Sequence, residues 1–161
     1  MNFLQKTVEY ALAVILVSLC VSRCDAQVKL QPFISTGVTT AWQTDVHSAV
    51  ESGGVAVIVP VSKKFFLRPV VAAGRVIPFS AASPFPVVQA GGLLGCHATK
   101  RFSLLGGYLE TIQLPASGTL YLPTAVASTA TRIHGRWGIY TPFTFNKKAW
   151  GASVQIGYTW P

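Results

Sequence analysis

From Trp150 to Trp160 the chain alternates without a break. Trp150, Ala152, Val154, Ile156, Tyr158 and Trp160 are apolar or aromatic, while Gly151, Ser153, Gln155, Gly157 and Thr159 between them are small or polar. A period of two held from one tryptophan to the other fits a β-strand with one greasy face and one wet face. Trp150 and Trp160 share the greasy face at a separation of about 33 Å along an untilted strand. At a tilt of roughly 40° that distance matches the two edges of an apolar band about 25 Å tall.

The same alternation recurs upstream. A strand over 27–42 puts Val28, Leu30, Pro32, Ile34 and Val38 on one face and Lys29, Gln31, Ser35, Gly37 and Thr39 on the other. A polar connection over 43–53 leads to a strand over 54–61 with Val55, Val57, Val59 and Val61 outward. Ser62-Lys63-Lys64 turns the chain into a third strand starting at Phe65, with Leu67, Val71 and Ala73 outward and Arg68, Ala72 and Gly74 inward. Arg75 breaks this pattern and predicts a bulge or a membrane rim. After the Ser/Pro-rich loop 80–86, a strand over 87–98 points Val88, Ala90, Leu94 and Cys96 outward and Gln89, Gly91, Gly95 and His97 inward. The strand over 102–114 alternates poorly, and Glu110 fits neither face without a register shift. The segment 132–145 alternates cleanly, with Arg132, His134, Arg136 and Tyr140 opposite Ile133, Trp137 and Ile139, before the Asn146-Lys147-Lys148 turn.

Half of the residues are hydrophobic, yet nothing beyond residue 26 is apolar for 18 residues in a row, which excludes a helical membrane protein. Alternating strands closed into a barrel spread apolar surface thinly while satisfying every backbone hydrogen bond in lipid. Even strand counts are the rule for single-chain barrels, so 120–128 is expected to supply a short or irregular sixth strand weakened by Pro123. The rival is one long loop over 115–131. The expected fold is all-β: an eight-stranded antiparallel up-and-down transmembrane β-barrel over 27–161.

Residues 1–26 read as a cleaved signal peptide, with Lys6, an apolar run over 11–21 and Ala26 at the cleavage site. Its removal takes away Lys6, Arg23, Glu9 and Asp25, leaving eleven Lys and Arg against Asp45, Glu51 and Glu110. Export and the lack of any basic run longer than two argue against nucleic acid, and favour phosphorylated lipid or an anion-tolerant lumen. One cysteine, Cys96, remains, so no internal disulfide is expected.

The leader, the short lysine-containing turns and the ending Gln155-Ile156-Gly157-Tyr158-Thr159-Trp160 resemble small bacterial outer-membrane barrels of the OmpA/OmpX type, the porin-family β-barrel domains. The final strand is similar to the terminal signal read by the barrel-assembly machinery, although Pro161 follows the aromatic residue that usually ends it. The resemblance implies a bacterial outer membrane, with its lipids and lipopolysaccharide as surroundings and a structural, surface-contact or adhesion role through loops 43–53, 80–86 and 115–131. A narrow anion or solute passage is the first alternative. A lipid-A-modifying enzyme and a soluble lipocalin-like carrier are the others.

The candidate luminal or rim cations are Lys29, Arg68, Arg132, His134 and Arg136. The candidate aromatic girdle is Trp137, Trp150, Tyr158 and Trp160, amphipathic rings suited to headgroup depth. His134 near Ser153 is the best catalytic fragment. No acidic residue stands near it in sequence to orient a base, so no enzymatic activity is expected. Cys96 and His97 face opposite sides of one strand, so neither a metal nor any other cofactor is expected.

Overall fold

The computed structural model describes residues 28–42, 46–80 and 82–160. The expected signal peptide lies outside these residues. Eight strands follow one another: β1 (Lys29–Ala41), β2 (His47–Pro60), β3 (Phe65–Pro78), β4 (Phe85–His97), β5 (Phe102–Gln113), β6 (Leu120–His134), β7 (Trp137–Phe145) and β8 (Ala149–Tyr158). Each pairs antiparallel with its neighbours in sequence, and β1 closes the barrel on β8 from Phe33↔Gly157 to Ala41↔Ala149.

The register fixes how the barrel leans. Lys29 sits opposite Ile58, and between the Ala56–Val70 and Val59–Leu67 pairs the ladder continues to Arg68. From there it runs through Leu93, Gly107, Val126, Thr144 and Gly151, and returns to β1 at Thr39, ten residues from where it began. A stagger of that size on eight strands goes with a tilt of about 40° and an interior just wide enough for side chains to fill.

Inward positions carry a packed cluster that includes Phe33, Phe66, Val70, Leu93, Leu109 and Val126. Outward positions expose Ile34, Val71, Leu94, Leu104, Val154 and Ile156. Apolar side chains therefore cover the outside of the wall as well as half of its lumen. In water that outer surface would be an aggregation liability, and in lipid it is the solvated face.

Several boundaries differ from the sequence-based expectation. β2 begins at His47, so most of the expected loop 43–53 is strand. β6 is fifteen residues long and neither short nor irregular at Pro123, which leaves 114–119 as the connection in place of 115–131. Arg132 N donates to Arg101 O, just before β5, so by alternation Pro123 turns its missing donor toward β7. β7 has by then ended at Phe145, and an absent N–H breaks no ladder there. The expected strand 132–145 is two strands: residues 132–134 finish β6, and Gly135-Arg136 makes a tight turn in which Gly135 has φ 56°. A register shift between Arg132 and His134 adds one residue, so the alternation runs through the turn undisturbed and hides it.

No bulge occurs at Arg75, whose outward side chain pairs with Glu51 across the β2–β3 ladder at 2.8 Å. β5 keeps one register throughout, with Glu110 on the outward parity beside Tyr108 and Leu109 inward. Val59 shares the parity of Val55 and Val57 but is buried.

Candidate functional site

The lumen is crossed by a layer of side chains from four strands, centred on Arg68 of β3. Arg68 is 2 % exposed. No carboxylate stands near it: Glu51 and Glu110 are the only Asp or Glu among the described residues, and both lie on the outward parity. A buried cation without a counter-ion survives only where dipoles and π-faces replace its hydration shell. Arg68 donates from Nε to Gln31 Oε1 at 3.2 Å and from Nη2 to the same oxygen at 3.0 Å. Nη2 also donates to Gln155 Oε1 at 3.2 Å. Its guanidinium carbon lies 4.3 Å from the centroid of the Tyr140 ring and 5.6 Å from that of Phe33.

Gln31, 1 % exposed, is the hub of the layer. Because a guanidinium only donates, the amide atom facing it must be oxygen, which turns the amide nitrogen the other way. That nitrogen donates to Tyr140 Oη at 2.8 Å and to Thr159 Oγ1 at 2.9 Å. Gly157 makes room for this posture, since a Cβ there would meet Gln31 Cγ and Cδ at 3.1 Å. Every buried side-chain nitrogen and oxygen among the described residues has a partner.

The layer is a septum one side chain thick. Phe33, Arg68 and Gln155 line a cavity of about 120 Å³ toward the 42–46, 79–84, 114–119 and 146–148 connections. Gln31, Tyr140 and Phe66 line a cavity of about 600 Å³ toward the opposite mouth, where the described chain begins at Val28 and ends at Trp160. Phe66 closes part of its floor, its ring lying over Gly95 and stacked 4.7 Å from His97, whose Nδ1 is 2.8 Å from Ser103 Oγ.

The expected cations separate into distinct places. Arg68 forms the septum, while Lys29, Arg132 and Arg136 line the larger cavity together with Lys63, Lys100 and Arg101. His134 is exposed at the β6–β7 turn and does not line it. Ser153 pairs with Gly37 and lines the opposite cavity, so the His134–Ser153 contact is not made. The girdle residues are outward at the two edges of the wall. Trp137, Tyr158 and Trp160 form an edge-to-face chain with centroids 5.0 Å and 6.2 Å apart at the end holding Val28, and Trp150 stands at the other. Sequence reading placed Gln31 and Gln155 on the wet face but gave them no role. Their signal was a long amide at inward positions, where small residues otherwise relieve the crowding.

No family model and no curated protein matches the chain. Solved structures share the fold. A de novo designed transmembrane β-barrel is similar at 14 % identity and a TM-score of 0.56, covering 82 % of this chain and 95 % of that one. Ail, the attachment invasion locus protein of Yersinia pestis, is similar at 8 % identity and a TM-score of 0.55, covering 85 % of this chain and all of that one. Ail bound to the heparin analogue sucrose octasulfate gives 11 % identity and the same TM-score and coverage. What is shared at such identities is the eight-stranded transmembrane barrel itself.

Proposed function

We propose that this barrel resides in a bacterial outer membrane, closed to flow, and serves there as a structural and surface-contact element with no catalytic role. The observation that carries the reading is the septum: Arg68, Gln31, Tyr140 and Phe33 are buried and are bonded or stacked to one another across the lumen. The apolar outer wall argues for lipid and against a soluble carrier, which would hide such side chains. The short turns 61–64, 98–101 and 135–136 at one end of the barrel fit the periplasmic side, which leaves the end bearing Trp42, Phe79 and Tyr121 outside. The connections at that end are short, so contact would be made by the exposed aromatic rim and not by long loops. Ail, an attachment protein by name, has the same architecture, and that likeness supports a surface role. Lipopolysaccharide and the barrel-assembly machinery are the partners this location implies.

Planar-bilayer recording tests the closed lumen. The wild-type protein should give no sustained conductance steps, and the protein should fractionate with the outer membrane and migrate differently boiled and unboiled. Stable ohmic steps from the wild type would overturn the closed reading. The septum's single layer, with a cation at its centre, favours a second reading as a gated anion passage. On that reading, removal of the side chain in Arg68→Ala would yield anion-selective steps.

A further inference from the structure

The distribution of charge along the barrel goes beyond what a closed structural wall requires. Six of the described cations, Lys29, Lys63, Lys100, Arg101, Arg132 and Arg136, converge on the single cavity at the Val28 mouth. They come from β1, β6 and three different turns, so no local run of sequence explains their meeting. No carboxylate lines that cavity among the described residues. Among the remaining cations, Arg68 is held in the septum, Arg75 is paired with Glu51, Lys64 is exposed in the 61–64 turn without lining the cavity, and Lys147 and Lys148 lie in the turn at the opposite end.

Like charges gathered around a concave surface with low-dielectric walls focus a positive potential into it and repel one another. A protein that needed only soluble rims would scatter these side chains outward. Here they surround a space of about 600 Å³, the size of a small-ligand site. The floor supplies the hydroxyls of Tyr140 and Ser103, and an aromatic wall in Phe66. Three of the six cations are arginines, whose planar forks suit bidentate contact with the oxygens of a phosphate group. A single small anion would satisfy two or three of the six at most, whereas a compact oligophosphate spans the ring.

We infer that the Val28 mouth of the barrel is a binding site for a compact oligophosphate group, held by Lys29, Lys63, Lys100, Arg101, Arg132 and Arg136 above the Gln31–Tyr140 floor. The group belongs either to a soluble phosphorylated molecule or to the headgroups of an anionic lipid.

Calorimetric titration of inorganic tripolyphosphate into the membrane-extracted protein in non-ionic detergent tests this. Saturable one-to-one binding with a dissociation constant below about 1 mM is expected at low salt, weakening steeply as salt rises. Arg132→Gln with Arg136→Gln should weaken binding by about tenfold or more, while Lys147→Gln with Lys148→Gln at the other end changes it by less than about twofold. The boiled-against-unboiled gel shift verifies that the variants are folded, and Lys29→Gln alone, expected to weaken binding by about threefold, serves if the double variant is not. Reconstitution in phosphatidylcholine vesicles with and without phosphatidylglycerol separates the sources. Loss of tripolyphosphate binding only when phosphatidylglycerol is present assigns the site to lipid headgroups, and unchanged binding assigns it to a soluble phosphate. Absence of saturable binding, or equal weakening by the two double variants, would overturn the inference.

Discussion

Replacing Gln31 by leucine, which has nearly the same volume, removes the hub of the septum and leaves its cation behind. Gln31 makes four hydrogen bonds, two accepted from the Arg68 guanidinium and two donated to Tyr140 and Thr159. Bonds to a charged group contribute about 1.5–3 kcal/mol each and neutral ones about 1 kcal/mol, a gross loss of roughly 5–8 kcal/mol. Leucine burial returns about 2 kcal/mol, and water from the adjoining cavity replaces part of the remainder. The expected net loss is roughly 3–5 kcal/mol, a large fraction of the 5–15 kcal/mol typical of folded proteins. Urea unfolding of the protein reconstituted in phospholipid vesicles measures it, with a second variant, Arg68→Met, completing a double-mutant cycle. Much of the penalty in Gln31→Leu is a stranded guanidinium, so adding Arg68→Met should recover about 2 kcal/mol relative to the sum of the two singles. A loss below about 1 kcal/mol, or strictly additive singles, would show that the layer is wet and that the bonds are interchangeable with water.

Two further substitutions probe the wall. Gly95→Ala drives a methyl group into the Phe66 ring and should destabilise by about 1–3 kcal/mol in the same urea assay. Gly92→Ala on the same strand, where a Cβ meets nothing within 4 Å, should be neutral or slightly stabilising. Trp137→Ala deletes the ring that packs edge-on against Tyr158 at 5.0 Å, and a loss of about 1.5–3 kcal/mol is expected in vesicles.

The parts of the barrel legible in the sequence are those where alternation is pure. β8 and the beginning of β1 show their faces directly, because outward positions are apolar and inward positions are small or polar. β5 is opaque because the lumen behind it is itself apolar. With Leu105 and Leu109 inward and Leu104 and Tyr108 outward, both faces are greasy and Glu110 on the outward parity reads as an error. The β6–β7 turn is hidden for a geometric reason: a two-residue turn plus one extra residue restores the parity, so Arg132, His134 and Arg136 look like one continuous face. Pro123 misled through its type, since proline harms a strand only where its missing donor faces a partner. As for the candidate site, the cations were visible but their grouping was not. Whether Lys63, Lys100 and Arg101 meet Arg132 depends on the stagger of the ladder, which no local pattern encodes.

The septum has a consequence for how the barrel is made. Three of its five bonds join residues far apart in the chain: Gln31 to Tyr140 across 109 positions, Gln31 to Thr159 across 128, and Arg68 to Gln155 across 87. Each therefore bridges the seam at which β1 meets β8, and none can form while that seam is open. A chain with seven ladders complete and the eighth missing is a hollow, hydrated trough in which Arg68 has only Gln31 of these partners. Zipping the last ladder does two things in one event, sealing the sheet against lipid and drawing a bolt across the lumen. For a barrel closed to flow, as proposed above, leakiness during biogenesis is thereby confined to the interval before closure, and the first moment at which the wall is complete is also the first at which it is shut.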